Sequence, residues 1–153
     1  MPKPGPILYR EASESDVAAM AESRSGDVAA GPADERMADY FAGKHHPRYA
    51  LEPRKGFVAT DGDSIVGYVA GHLTKRFGCE GELQYLYVAP AYRRQGIARA
   101  LIGRLGKWFV RNGARRVCVN VDAKSPGARE LYSSLSATDL RPYWMEWRDI
   151  GTL

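Results

Sequence analysis

Residues 82–102 constrain this chain more than any other stretch. Glu82-Leu83-Gln84-Tyr85-Leu86-Tyr87-Val88 is rich in aromatic and branched residues and reads as a strand. Ala89-Pro90 breaks it, and Arg93-Arg94-Gln95-Gly96 makes a basic turn into an amphipathic helix that begins at Ile97. A helix entered through such a turn starts with backbone N–H groups that lack partners and point at one spot, with the positive end of the helix dipole behind them. That arrangement is a phosphate site.

The rest of the chain is read around that stretch. A chain of 153 residues suits one domain, residues 1–153, because this length buries about two thirds of its unfolded surface. With 44% hydrophobic and 26% charged residues it has the composition of a globular protein. No apolar run approaches the roughly 18 residues that span a bilayer. The start, Met1-Pro2-Lys3-Pro4-Gly5-Pro6, has no apolar core for a signal peptide, so a cytoplasmic protein with no membrane partner is expected. Cys79 and Cys118 are the only cysteines and are read as inert thiols in a reducing compartment. A net charge of +4 suits an anionic cofactor or a nucleic acid alike. Arg93, Arg94 and Arg99 cluster on the phosphate turn, and no basic stripe with interleaved aromatics appears, so a cofactor is expected and no nucleic acid. A dinucleotide oxidoreductase is excluded because no Gly-x-Gly-x-x-Gly turn follows an early strand.

In chain order, Ile7–Arg10 reads as a strand, and Ser13-Glu14-Ser15-Asp16 resembles a capping box before a helix carrying Val17, Met20 and Ala21. A second helix is expected from Pro32 to Gly43, and residues 44–55, with two prolines and His45-His46, read as a loop. Adjacent histidines in a loop lack ligand spacing, so no metal is expected. Phe57–Thr60, Asp61-Gly62 and Ser64–Leu73 form a hairpin whose second arm, apolar on both sides, belongs in mid-sheet. His72 at its end reads as a satisfied sheet-end histidine. Gly81–Val88 continues the meander. After the helix carrying Ile97, Leu101, Leu105 and Trp108, Arg116–Val121 reads as a strand parallel to the one before that helix. Ser125-Pro126 starts another helix, and Thr138–Leu140 with Tyr143–Arg148 closes the sheet.

These residues resemble the GCN5-related N-acetyltransferases. Arg93-Arg94-Gln95-Gly96-Ile97-Ala98 matches that family's pyrophosphate signature, Arg or Gln, two residues, Gly, one residue, Gly or Ala. The context matches too: a strand with Leu86-Tyr87-Val88-Ala89-Pro90, a following helix, a strand at Val117–Val121, and Ala128-Arg129-Glu130-Leu131-Tyr132. The resemblance implies an α/β (α+β) fold, with a mixed sheet of about six or seven strands, about four helices, and a splay or bulge between the fourth and fifth strands.

It also implies acetyl-coenzyme A as co-substrate, lying where those two strands part, and transfer of its acetyl group to a primary amine of a small molecule or peptide. Backbone groups of Leu86, Tyr87 and Val88 would face the pantetheine arm, and the N–H of Leu86 would polarise the thioester carbonyl. The N–H groups of Arg94, Gln95, Gly96, Ile97 and Ala98 would hold the pyrophosphate, with charge from Arg93, Arg94 and Arg99. Glu82 would be the base that deprotonates the amine, and Tyr132 the acid that protonates the leaving thiolate. Ser125 stands where the family often has an Asn that contacts the cofactor, and Ser136-Ala137 replaces its usual Gly-Phe or Gly-Tyr. A homodimer is expected on the same ground. The rival of a different class is a domain of this fold that senses acyl-coenzyme A without turning it over. Nothing in the acceptor region selects one amine.

Overall fold

The hairpin turn forms one residue later than the sequence suggests, at Gly62-Asp63: Asp61 still pairs with Ser64, and Gly62 takes the φ of 59° that joins two long antiparallel strands. The computed structural model describes residues 5–25, 34–44, 49–121 and 127–153, leaving aside the side chains of 23–25 and 34–36. Its elements are β1 (Leu8–Glu11), α1 (Val17–Ser25), α2 (Asp34–Phe41), β2 (Leu51–Asp61), β3 (Ser64–Leu73), β4 (Gly81–Val88), α3 (Ile97–Arg111), β5 (Val117–Asn120), α4 (Ala128–Ser134), β6 (Thr138–Arg141) and β7 (Trp144–Trp147). The strands form one seven-stranded sheet in the order β1-β2-β3-β4-β5-β7-β6. Among the described residues only β4 and β5 run parallel, as a strand reached through a helix should.

The sheet separates two layers. On one face α3 lays Leu101, Leu105 and Phe109, all fully buried, over Val69, Leu83, Val117, Val119, Met145 and Trp147. At Gly71 a Cβ would come within 2.7 Å of the Phe109 ring, so the absence of a side chain lets α3 sit this close. On the other face α1 and α2 bring Met20, Met37 and Tyr40 onto Val58, Tyr68 and Ala70. The start of α1 is tied as the capping box predicts. The Asp16 carboxylate accepts from the Ser13 N–H at 2.7 Å and pairs with Arg10 at 2.7 Å. Those donors hold the Asp16 carboxyl well below its usual range, the Arg10 guanidinium foremost. Among the described residues no helix is long and apolar enough to cross a membrane.

One expectation fails here. Residues 51–55, read as loop, belong to β2, which pairs with β3 as far as Leu51 opposite Leu73. Pro53 lies inside a register irregularity between Leu51 and Arg54, and β1 reaches only from Phe57 to Thr60 of β2. A proline is tolerated where a ladder is broken and the strand has no second neighbour. His45-His46 and Ser125 lie outside the described residues.

Candidate active site

The parting of β4 from β5 is written in their register. Gly81, Glu82 and Leu83 pair with Val117, Cys118 and Val119, and there the ladder ends. One residue on, the pairing of β4 with β3 slips: Gly71 opposes Leu83 and Ala70 opposes Tyr85, so Gln84 is an extra, bulged residue. Beyond it Ala89 N–H bonds to Val66 O at 2.8 Å, which makes that pair a hydrogen-bonded one. Antiparallel pairs alternate, so Tyr87 faces Tyr68 with its backbone groups, while Leu86 and Val88 turn theirs the other way, toward the gap. Arg93 Nε donating to Val88 O at 2.9 Å agrees with that orientation.

Leu86 and Val88 thus turn their backbone groups toward the gap, whereas the expectation that the Tyr87 backbone faces it is corrected. The Val88 carbonyl already accepts from Arg93, and the backbone of Tyr87 is spent on β3, its ring lying 5.5 Å from that of Tyr68. Past β4, a short turn at Pro90–Tyr92 is pinned by Tyr92 Oη donating to Asp61 at 2.6 Å. Arg94 and Gly96 then take φ of 64° and 81°, and the first helical bond of α3 runs from Ala100 N–H to Gly96 O at 3.0 Å. The N–H groups of Gly96, Ile97, Ala98 and Arg99 therefore have no acceptor within the helix. A Cβ at Gly96 would meet no atom within 4 Å, so the space over this helix end is open. Arg93, Arg94, Gln95 and Arg99 are exposed around it, while Ile97 is buried and anchors the turn. The turn fits a pyrophosphate.

Glu82 and Tyr132 lie on opposite faces of the sheet. Leu83 points into the α3 layer, so Glu82 points to the α1–α2 face, where it is 4% exposed. Arg76 Nε donates to its Oε1 at 2.8 Å, and His72 Nε2 lies 3.7 Å from the same oxygen. Behind His72, its Nδ1 meets the hydroxyl of Tyr40 at 2.8 Å. Burial drives the Tyr40 phenol well above its ordinary pKa, so it keeps its proton. The sequence reading of His72 as satisfied is half right, since Nε2 finds no hydrogen-bond partner among the described residues.

Tyr132 packs in the α3 layer edge-on to Trp147, with ring centres 5.6 Å apart, and burial pushes its pKa up to about 12. Its hydroxyl carries a proton across the physiological range. A gap between β4 and β5 therefore has a buried carboxylate on one side of the sheet and a protonated phenol on the other.

Two features were not foreseen. His72, Glu82, Cys118 and Glu146 stand side by side across β3, β4, β5 and β7. Cys79 joins this row, and its hydrogen bond together with burial raises the Cys118 pKa and keeps that thiol protonated. Ser136 takes a φ of 75°, so the turn usually made by Gly is kept, with Ala137 N–H bonded to Tyr132 O at 2.9 Å. A cleft of about 770 Å³ between α1 and α2, lined by Ala12, Val17, Ala21, Ala38 and Phe41, holds none of the expected site residues.

A mixed sheet that parts between two parallel strands, beside an open helix start, defines an α/β protein built to pass an extended anionic ligand through its sheet. The acetyltransferase (GNAT) family model matches residues 19–136, and the chain belongs to that family. It is 40% identical over 82 residues to the mycothiol acetyltransferase of Corynebacterium efficiens, a match covering 51% of this chain and 26% of that protein. This chain thus spans about a quarter of that relative's length. A GNAT-family acetyltransferase structure from Desulfovibrio desulfuricans superposes with a TM-score of 0.75 at 16% identity, covering 95% of this chain and 99% of the other. Arabidopsis thaliana NAA60 in complex with acetyl-CoA gives a TM-score of 0.68 at 17% identity, over 93% and 96% of the two chains.

Proposed function

We propose that this protein transfers an acetyl group from acetyl-coenzyme A to a primary amine. The observation that carries the reading is the end of β4–β5 pairing at Leu83 and Val119, with Leu86 and Val88 turned into the gap and the free start of α3 beyond. When bound, acetyl-coenzyme A supplies the activated acyl group. Backbone N–H groups from Arg94 to Ala98 hold its pyrophosphate, with Arg94 and Arg99 adding charge. Ser125 is kept as a further contact on the ground of sequence alone.

An alkylammonium, with a pKa near 10.4, is no nucleophile at neutral pH. Glu82, on the α1–α2 face, removes its proton directly or through a water. The Leu86 N–H steadies the charge that grows on the carbonyl oxygen. Tyr132, on the opposite face, gives its proton to the departing sulfur and regains one from solvent. Amine and thiol chemistry are thus divided between the two faces.

Purified protein incubated with acetyl-coenzyme A and a panel of small amines, amino acids and peptides tests this by release of free thiol. Amine-dependent release is expected. Tight acetyl-coenzyme A binding with no release on any amine would instead make the domain an acyl-coenzyme A sensor.

A further inference from the structure

Arg76 stands where an acceptor amine has to arrive. It opens the short helical turn Arg76–Gly78 between β3 and β4 and holds Glu82 through its Nε. Its guanidinium carbon lies 4.4 Å from the ring centre of Tyr49 and 5.1 Å from that of Trp144. Tyr49 precedes β2 and Trp144 opens β7, so distant parts of the chain converge on one cation. A cation over an aromatic face is attracted by the negative face of the ring. Two such faces around a buried carboxylate are the chemistry that recognises an ammonium.

The box has the right place. Glu82 is opposite Cys118, one pair before β4 and β5 part, and Trp144 is opposite Asn120, one residue past the last β4–β5 pair. Met145 and Trp147 point into the α3 layer, so Trp144 points, like Glu82, to the α1–α2 face. Arg76 also has a way out. Its side chain is 21% exposed where that of Glu82 is 6%. Its turn carries Phe77 and Gly78 at φ of 55° and 77°, and the Gly78 N–H to Lys75 O bond is 3.4 Å. A non-glycine residue in the left-handed region is strained, and a rearranged turn would relieve that strain.

We infer that Tyr49, Trp144 and Glu82 form the ammonium subsite for the acceptor, and that Arg76 is its built-in occupant, displaced when a cationic amine enters. The assignment presupposes the acetyl transfer proposed above and narrows the acceptor to an alkylammonium. The guanidinium swings to solvent and the ammonium takes its place against Glu82. One N–H bond breaks as an O–H bond forms on the carboxylate, leaving a neutral amine. The nitrogen lone pair then makes the C–N bond while the thioester C–S bond breaks. The second nitrogen proton leaves to water, and the thiolate takes the Tyr132 proton.

Binding of n-butylammonium, followed by saturation-transfer NMR, tests the subsite without turnover. Arg76→Ala is expected to bind it at least tenfold more tightly than the wild type, and Arg76→Ala/Glu82→Gln to lose that gain. Equal affinity in wild type and Arg76→Ala, binding to neither, or a gain that survives Glu82→Gln would each overturn the inference. Thermal melting checks folding, and Arg76→Gln gives the same comparison if the alanine variant is unfolded. Acetyl-coenzyme A binding is measured alongside. A wild type that does not bind it sinks the acetyl-transfer reading, whereas one that binds it while Arg76→Ala gains nothing for butylammonium sinks only the subsite.

Discussion

Two neighbouring rows of side chains cross the middle of the sheet, one residue apart and on opposite faces. Gly71, Leu83, Val119 and Met145 form one row, and His72, Glu82, Cys118 and Glu146 form the other. The first is dry and packed under α3. The second is nearly as buried yet holds two carboxylates, an imidazole and a thiol, with Arg76 and Arg116 pairing the acids at 2.8 and 2.6 Å. Apolar burial under α3 holds the sheet together whatever ligand is bound. Buried charges add little net stability, since desolvation offsets much of their attraction. On the proposed function, the carboxylate of Glu82 in that row serves chemistry rather than folding.

That contrast breaks most sharply at Glu82. Glu82→Gln is expected to lower kcat for amine acetylation by about 10²–10⁴-fold while acetyl-coenzyme A affinity stays within about twofold. An unchanged kcat would return the row to a structural role. In the dry row's layer, Leu105→Ala should destabilise the protein by about 2–5 kcal/mol in urea unfolding. A cost under about 1 kcal/mol would mean that α3 does not carry the fold.

Tyr132 belongs to both accounts, and pH separates them. Between pH 10 and 12 an unfolded phenol has lost its proton while the buried one, with its pKa at about 12, keeps it. Folding then binds protons, so stability falls as pH rises, by about 2–3 kcal/mol from this group at pH 12. Urea midpoints of wild type and Tyr132→Phe at pH 9 and 11.5 should therefore converge or cross at the higher pH. A Tyr132→Phe enzyme with full kcat at neutral pH would remove Tyr132 as the acid. The smallest effect is expected at Ser136, which sits at φ 75°. Ser136→Gly should raise stability by about 0.5–1 kcal/mol with no change in kcat, read from the same unfolding curves.

What could be read from the sequence was local. Asp61-Gly62, the Arg93–Gly96 turn and the amphipathic face of α3 each declare themselves within a few residues, because turn angles and helical period are set by near neighbours. What escaped depends on register across several strands. Glu82 and Cys118 are 36 positions apart, and nothing near either announces that they adjoin. Tyr49, Arg76 and Trp144 likewise meet only once β2, β3 and β7 are in place. Pro53 misled for the opposite reason: a local signal for loop was overridden by pairing with β3.

The bulge at Gln84 acts as a frame-shift written into the backbone. Upstream of it, even-numbered Glu82 looks toward α2; downstream, odd-numbered Tyr85 and Tyr87 do so, while Leu86 and Val88 move to the α3 side. Were Gln84 instead paired in the ordinary way opposite Ala70, with no bulge, every position after it would invert. The aromatic rings would be thrown against α3, and the amides of Leu86 and Val88 would be handed back to β3. Polarity in this strand is therefore encoded by counting: the strand carries one residue more than its pairing with β3 uses, and the face of every later residue follows from that.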